Sequence, residues 1–227
     1  MIPDEKLNEV CDFVRNYLNE SAATSDQEWL KLHPRSAEYR WQHTLNVLRN
    51  AEKIIAGERA DKHDADVVRF AAILHDVSMF VCDHEVHGRV SAEIAKKYLE
   101  EHGYPAEFIE EVCRAVAEHG SDLGLLPIEE QGKALSWPGM VLIEADIVDK
   151  LGASAITSTV LFLGAQGKLN HECRQELAQG SAMQRAIFFK DYIWTRTGKK
   201  LAQERFEFFL KFLDQLAEEV VEIHSPA

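Results

Sequence analysis

The sequence predicts an all-α protein. Apolar residues recur at three- and four-residue spacing along most of the chain, no segment alternates with a period of two, and glycines and prolines fall where the apolar stripes stop.

Residues 4–20 place Leu7, Val10, Phe13, Val14, Tyr17 and Leu18 on one helical face. The segment "SAATSDQEWLKLHPRS" reads as a loop, with room for a short helix around Glu28–Leu32. A long helix is expected over 36–56, with Trp41, Leu45, Leu48 and Ile55 inward. Residues 64–77 are apolar nearly all round, which predicts a central helix. The next helix spans 86–102 and stops at Gly103; Pro105 suits the first turn of its successor, which runs to Gly120. "GSDLGLLPIEEQGKALSWPG" is the longest irregular stretch, and helices are expected after it at about 139–151, 153–164, 172–190 and 198–223. With no repeat and no composition break, the 227 residues predict one domain over 1–227: an N-terminal helix and loop over 1–35, then a helical core over 36–220.

A formal net charge of −13 argues against a nucleic-acid polymer or an anionic membrane as partner, because both select basic surfaces. An anionic substrate would then need a local reversal of the field, which a bound cation supplies. Cys11, Cys82, Cys113 and Cys173 form no C-x-x-C pair and read as reduced thiols. The N-terminus "MIPDEKLNEV" lacks the apolar core of a signal peptide, and no run approaches the roughly 18 consecutive apolar residues of a membrane helix. The expected address is the cytoplasm.

Titratable residues recur where burial is expected. His75 and Asp76 end the apolar run "FAAILHDVSMF". His43 shares a face with Val47 and Ile54, on the flank of the expected apolar stripe, and Arg40 lies one turn earlier. His87 is in register with Val90, Ile94 and Tyr98; His119 extends the stripe Ile109, Val112, Val116; Asp146 sits inside "MVLIEADIVDKL". Any one of these histidines alone would be read as a neutral core residue bonded to a carbonyl, and either aspartate as a helix cap or packing acceptor. Together they bring at least two carboxylates into one interior, and an unpaired buried carboxylate costs several kcal/mol. These helices offer too little buried Lys or Arg to neutralise Asp76 and Asp146. A divalent metal would accept both carboxylates and the neutral imidazoles together.

His43, then His75–Asp76, then Asp146 resembles the H…HD…D signature of the HD-domain superfamily of metal-dependent phosphohydrolases. "VHGRVSA" places His87, and "AVAEHG" places His119, where that family carries its second-shell or second-metal histidines. "EADIVDKLGA" resembles the family's D-A-D-x-L-D-x-L-G-A helix, with Asp146 on the second aspartate. The tail "TRTGKKLAQERFEFFLKFLDQLAEE" resembles the closing segment of a subgroup of small stand-alone bacterial HD hydrolases, so that the resemblance covers roughly 36–220. Two positions depart from it: Glu144 stands for the family's usual Asp, and Ile147 for its usual Arg. The stretch 121–138 is also longer and more apolar than in the family.

The resemblance implies an HD-domain helical bundle with the metal site in the core. His43, His75, Asp76 and Asp146 would be the metal ligands, with His87 and His119 as phosphate contacts or ligands of a second ion. Mixed imidazole and carboxylate ligation suits Mn, Fe, Co, Ni or Zn, with Mg as a further option. The implied chemistry is hydrolysis of a nucleotide or related phosphate ester by metal-activated water, with Asp76 orienting the water and His87 and His119 at the phosphate. Arg40 is a candidate phosphate contact, its alternative being an ion pair with Glu38 or Glu52. Lys150 is another, its alternative being a solvated lysine at a helix end. Two other functions suit the same residues: a di-iron HD-type oxygenase, and a non-catalytic nucleotide-binding protein.

Overall fold

The computed structural model describes residues 4–27, 35–120, 133–180, 184 and 192–221. Among them are nine α-helices: α1 Asp4–Thr24, α2 Ser36–Glu58, α3 Lys62–Leu74, α4 His87–Glu101, α5 Ala106–His119, α6 Trp137–Asp149, α7 Gly152–Ala165, α8 Asn170–Gln179 and α9 Arg196–Glu219. A 310 turn, His84–Val86, precedes α4, and no strand occurs among the described residues. The fold is all-α, as the periodicity predicts. The short helix expected around Glu28–Leu32 and residues 121–132 of the irregular stretch lie outside the described residues. No single described helix is long and apolar enough to cross a membrane.

The chain divides into two compact units, Met1–Asp146 and Ile147–Ala227. In the first, α3 is the core helix. Val67, Val68, Phe70, Ala71, Ala72, Ile73 and Leu74 are all buried, and α1, α2, α4 and α5 pack around it. Its start is set by Asp61, whose carboxylate accepts from the Asp64 amide at 3.0 Å. Its end differs from expectation: the helix stops at Leu74, and residues 75–81 form successive turns held by Val77 N–H to Leu74 O, Met79 N–H to Asp76 O and Val81 N–H to Ser78 O. His75 and Asp76 therefore lie at the helix terminus and in the turn, not inside a continuous helix.

The inward face of α2 also differs. It consists of His43, Thr44, Val47, Asn50, Ala51, Ile54 and Ile55, while Leu45 is 38% exposed. The polar members find partners there: Thr44 Oγ1 donates to Arg40 O at 3.1 Å and Asn50 Nδ2 to Ala145 O at 3.0 Å. Polar groups so satisfied are buried at little cost, and the face carrying His43 becomes the core face.

α4 and α5 are joined by a tight turn in which Gly103 adopts φ +70°, a conformation only glycine takes without strain. His63 in the first turn of α3 reaches Glu111 on α5 at 2.5 Å. The hydrogen bond to Glu111, against slight desolvation, raises the His63 pKa above its ordinary value. The pair stabilises the fold fully below the unfolded histidine's pKa, and this is lost as pH rises through the folded value. Both side chains are largely exposed, so the contribution is at most about 1 kcal/mol. Glu111→Gln is expected to return the His63 titration, followed by proton NMR, toward an unperturbed histidine; an unchanged midpoint would show that the pair is not formed.

In the second unit α7, α8 and α9 pack on one another. Gly152, at φ +74°, opens α7 where a Cβ would stand 3.0 Å from Arg205 Cβ, and Arg205 donates to Val148 O at 2.5 Å. Thr195 caps α9 by accepting from the Gly198 amide at 2.9 Å. In the helix expected over 172–190, α8 ends at Gln179, and Gly180 takes an extended conformation while its amide still closes on Glu176 O; residues 181–183 and 185–190 lie outside the described residues.

Candidate metal centre

Five helices bring six side chains to one place. His43 comes from the middle of α2 and His75 and Asp76 from the end of α3. His87 opens α4, His119 closes α5, and Asp146 lies in α6. His75 is fully buried, and His43, Asp76, His87 and Asp146 are nearly so.

The six form two groups that share one carboxylate. On one side His43 Nε2 lies 3.2 Å from Asp146 Oδ1, 3.4 Å from His75 Nε2 and 3.5 Å from Asp76 Oδ2, and His75 Nε2 lies 3.4 Å from Asp76 Oδ2. On the other, Asp76 Oδ1 lies 3.4 Å from His87 Nε2 and 3.6 Å from His119 Nε2, and those two nitrogens are 3.1 Å apart. Asp76 thus turns one oxygen to each group.

The backbone fixes which ring nitrogen faces inward. His75 Nδ1 donates to Ala72 O at 2.9 Å, His119 Nδ1 to Val116 O at 3.0 Å, and His87 Nδ1 to His84 O. Each bond reaches back three residues, so the local helical or 310 geometry selects the tautomer. In the neutral ring Nε2 then carries only a lone pair. Burial lowers the His75 pKa, against the opposing pull of Asp76; burial and the neighbouring His119 lower that of His87 to about 4. Burial pushes the Asp76 carboxyl up, but the neighbouring His75 and the Arg40 guanidinium outweigh it and hold the group well below the usual carboxylate range.

The Nε2 lone pairs of His87 and His119, 3.1 Å apart, repel unless a cation lies between them. A six-coordinate ion with ligands near 2.1 Å places adjacent ligands about 3 Å apart, close to the spacings found here. His43, His75 and Asp146 satisfy the geometry for one ion, and so do His75, Asp76 and His119. The donor set of imidazoles and carboxylates therefore fits a divalent metal.

Arg40 has an ion-pair partner other than the two glutamates expected. Its guanidinium donates to Asp76 Oδ2 at 2.5 Å, so one positive side chain does reach the buried carboxylates. Neither expected alternative is its partner here: Glu38 pairs with Arg35 and Glu52 with Arg69. Lys150 is exposed in the turn after α6, in the second unit. Sequence reasoning missed the carbonyls of Ala72, His84 and Val116 that orient the rings. A histidine three residues beyond each one was the available signal. Also missed was a hydrogen-bonded bracket on the far side of the turn: Ser78 Oγ donates to His87 O at 2.9 Å, and the Ser78 amide donates to Ser91 Oγ at 3.2 Å. It ties the turn bearing Asp76 to the helix bearing His87.

The HD domain family model matches residues 40–151, a span that contains all six residues. The Bacillus subtilis protein YpgQ is 28% identical over 191 residues, covering 82% of this chain and 86% of YpgQ. Among solved structures, an HD-superfamily hydrolase from Bacillus thuringiensis superposes with a TM-score of 0.68 at 20% identity, covering 95% of this chain and 97% of that one. YpgQ in complex with ADP superposes with a TM-score of 0.61 at 21% identity, covering 94% and 96%. The family match falls on the segment that builds the cluster, and the fold agrees along almost the whole length; residues 40–151 of the chain form an HD domain.

Proposed function

We propose that the protein is a metal-dependent phosphohydrolase that acts on a nucleotide or related phosphate ester. The observation that carries this reading is the two-sided Asp76 carboxylate, with His43 and His75 beside one oxygen, Asp146 beside His43, and His87 and His119 beside the other oxygen. His43, His75, Asp76 and Asp146 would hold the first divalent ion, and Asp76, His87 and His119 a second. Bound there, the metal supplies Lewis acidity, which lowers the pKa of water and polarises a phosphoryl oxygen.

The chain's own groups define the rest. His87 is neutral near pH 7 and its only ring proton is committed to His84 O, so Nε2 can accept or ligate but not donate to phosphate. This favours His87 as a ligand over His87 as a phosphate contact. Arg40 is the permanent positive charge of the pocket, and its guanidinium fork suits phosphate oxygens. Nucleotide as substrate class draws support from the ADP complex of YpgQ.

The test is release of phosphate or pyrophosphate from a panel of nucleoside mono-, di- and triphosphates, with Mn, Co, Ni or Mg supplied in turn. Metal-dependent release is expected, reduced by at least about 100-fold in Asp146→Ala. No release with any of these ions from a metal-loaded sample overturns the reading. Two irons per chain with oxygen consumption would replace hydrolysis by the oxygenase reaction.

A further inference from the structure

We propose that Glu118 is a positioning residue that sets the separation between the two ligand groups by bracing the helix end bearing His119 against the helix bearing Asp146. The inference rests on the two-ion reading above and adds to it a residue that neither ligates nor touches substrate.

Glu118 directly precedes His119 at the end of α5, and its carboxylate turns toward the start of α6. The Ser136 amide donates to both of its oxygens at 3.1 Å, and Ser136 Oγ donates to Oε2 at 2.5 Å. Arg114, one turn earlier on α5, donates to Oε1 at 2.8 Å and holds the carboxylate in place. Ser136 in turn caps α6, its Oγ accepting from the Gly139 amide at 3.1 Å. An anion at a helix N-terminus is also favoured by the helix dipole. The chain of bonds therefore runs from His119's neighbour through Ser136 into the first turn of α6, and α6 continues as a rigid rod to Asp146.

A second observation stands independently. A Cβ at Gly139 would collide with Glu118 Oε2, so the first turn of α6 has room for the carboxylate only because residue 139 is glycine. The segment "SWPG" thus combines a capping serine, a proline suited to a first turn, and a glycine that leaves space for a side chain from another helix.

His119 Nε2 must stay 3.1 Å from His87 Nε2 and 3.6 Å from Asp76 Oδ1, while Asp146 Oδ1 keeps 3.2 Å to His43. α5 and α6 carry these two residues at opposite ends of the brace. Losing it lets the end of α5 shift without disturbing His43, His75 or Asp146.

The experiment uses the full chain as Glu118→Ala, Glu118→Gln and Gly139→Ala. Stepwise Co(II) titration followed by visible absorption reads the two ions separately. In metal-free protein, NMR contacts between the His87 and His119 rings read the pair directly. The alanine variants are expected to keep a cooperative thermal transition and the first ion, to bind the second at least about tenfold more weakly, and to lose the ring contacts. Glu118→Gln, whose amide can still accept from the Ser136 N–H and bond its hydroxyl, is expected to behave close to the parent. Wild-type affinity for both ions in Glu118→Ala, equal weakening of both, or unchanged ring contacts overturns the proposal. Failure of the parent chain to bind Co(II) would instead remove the two-ion reading, and the ring contacts would still decide the role of Glu118.

Discussion

Asp76→Ala is expected to abolish binding of both metal ions and all metal-dependent turnover, while most of the helical fold survives. Asp76 turns one oxygen to each ligand group: its Oδ2 lies 3.4–3.5 Å from His75 and His43, and its Oδ1 3.4–3.6 Å from His87 and His119. Removing it leaves three ligands on one side and only imidazoles on the other, with no bridging negative charge. The metal-free fold is affected less, because α3 already ends at Leu74 and its apolar face is untouched. The main local cost is Arg40, which loses its partner but is part-exposed and can reach water. The informative measurement is the shift of melting temperature on adding metal. A ligand at 100 times its Kd stabilises by about 2.7 kcal/mol, worth roughly 5–11 °C for a chain of this size. The parent should show a shift of that order and Asp76→Ala none. His75→Ala should lose the first ion likewise. Full metal occupancy in either variant would mean that the turn after α3 does not supply ligands.

The identity of the six residues was legible in the sequence because a buried His or Asp on an apolar helix is expensive and six of them demand a common explanation. Their presentation was less so. The expected inward stripe of α2 followed Trp41, Leu45 and Leu48, yet the core takes His43, Thr44 and Asn50. Hydrophobic periodicity counts polar residues as outward and cannot register that Asn50 has the Ala145 carbonyl waiting for it. The end of α3 was misplaced for a related reason. Val77 and Phe80 stay buried although the backbone has left the helix, so the apolar pattern continues where the hydrogen-bond pattern does not. The break at Gly180 was visible as a glycine, but an isolated glycine inside a periodic run marks a helix end only when its backbone conformation is known. Glu118 was invisible because its partner Ser136 lies 18 residues away, and neither residue is unusual for its position in sequence. Arg40 was read as facing phosphate or a surface glutamate; that it neutralises Asp76 depends on where the turn after α3 meets α2.

Gly88→Ala is expected to remove the second ion selectively and to destabilise the fold. Gly88 in the first turn of α4 and Gly120 at the end of α5 are in backbone contact. A Cβ at Gly88 would lie 2.7 Å from Gly120 Cα and 2.9 Å from its nitrogen, and a Cβ at Gly120 would lie 2.7 Å from Gly88 Cα. Backbone atoms cannot rotate out of the way as a flexible side chain can, so the helix ends must separate. The residues preceding these glycines are His87 and His119, whose Nε2 atoms are 3.1 Å apart, and any separation of the backbones is passed directly to that pair. Helix propensity works the other way, favouring alanine by up to about 1 kcal/mol, but this gain is smaller in a first turn than the overpacking cost of about 1–3 kcal/mol. A net loss of about 1–2 kcal/mol would lower the melting temperature by roughly 2–8 °C. His43, His75 and Asp146 are not displaced, so the first ion should bind as before. Gly164→Ala serves as the control: Gly164 is exposed in α7, a methyl group there would meet nothing within 4 Å, and alanine should keep both ions and the parent's stability or slightly more. If Gly88→Ala retains two ions per chain at parental affinity, the close approach of the two glycines does not set the His87–His119 spacing, and the second ligand group must be held by the Ser78–Ser91 bracket and the Glu118 brace alone.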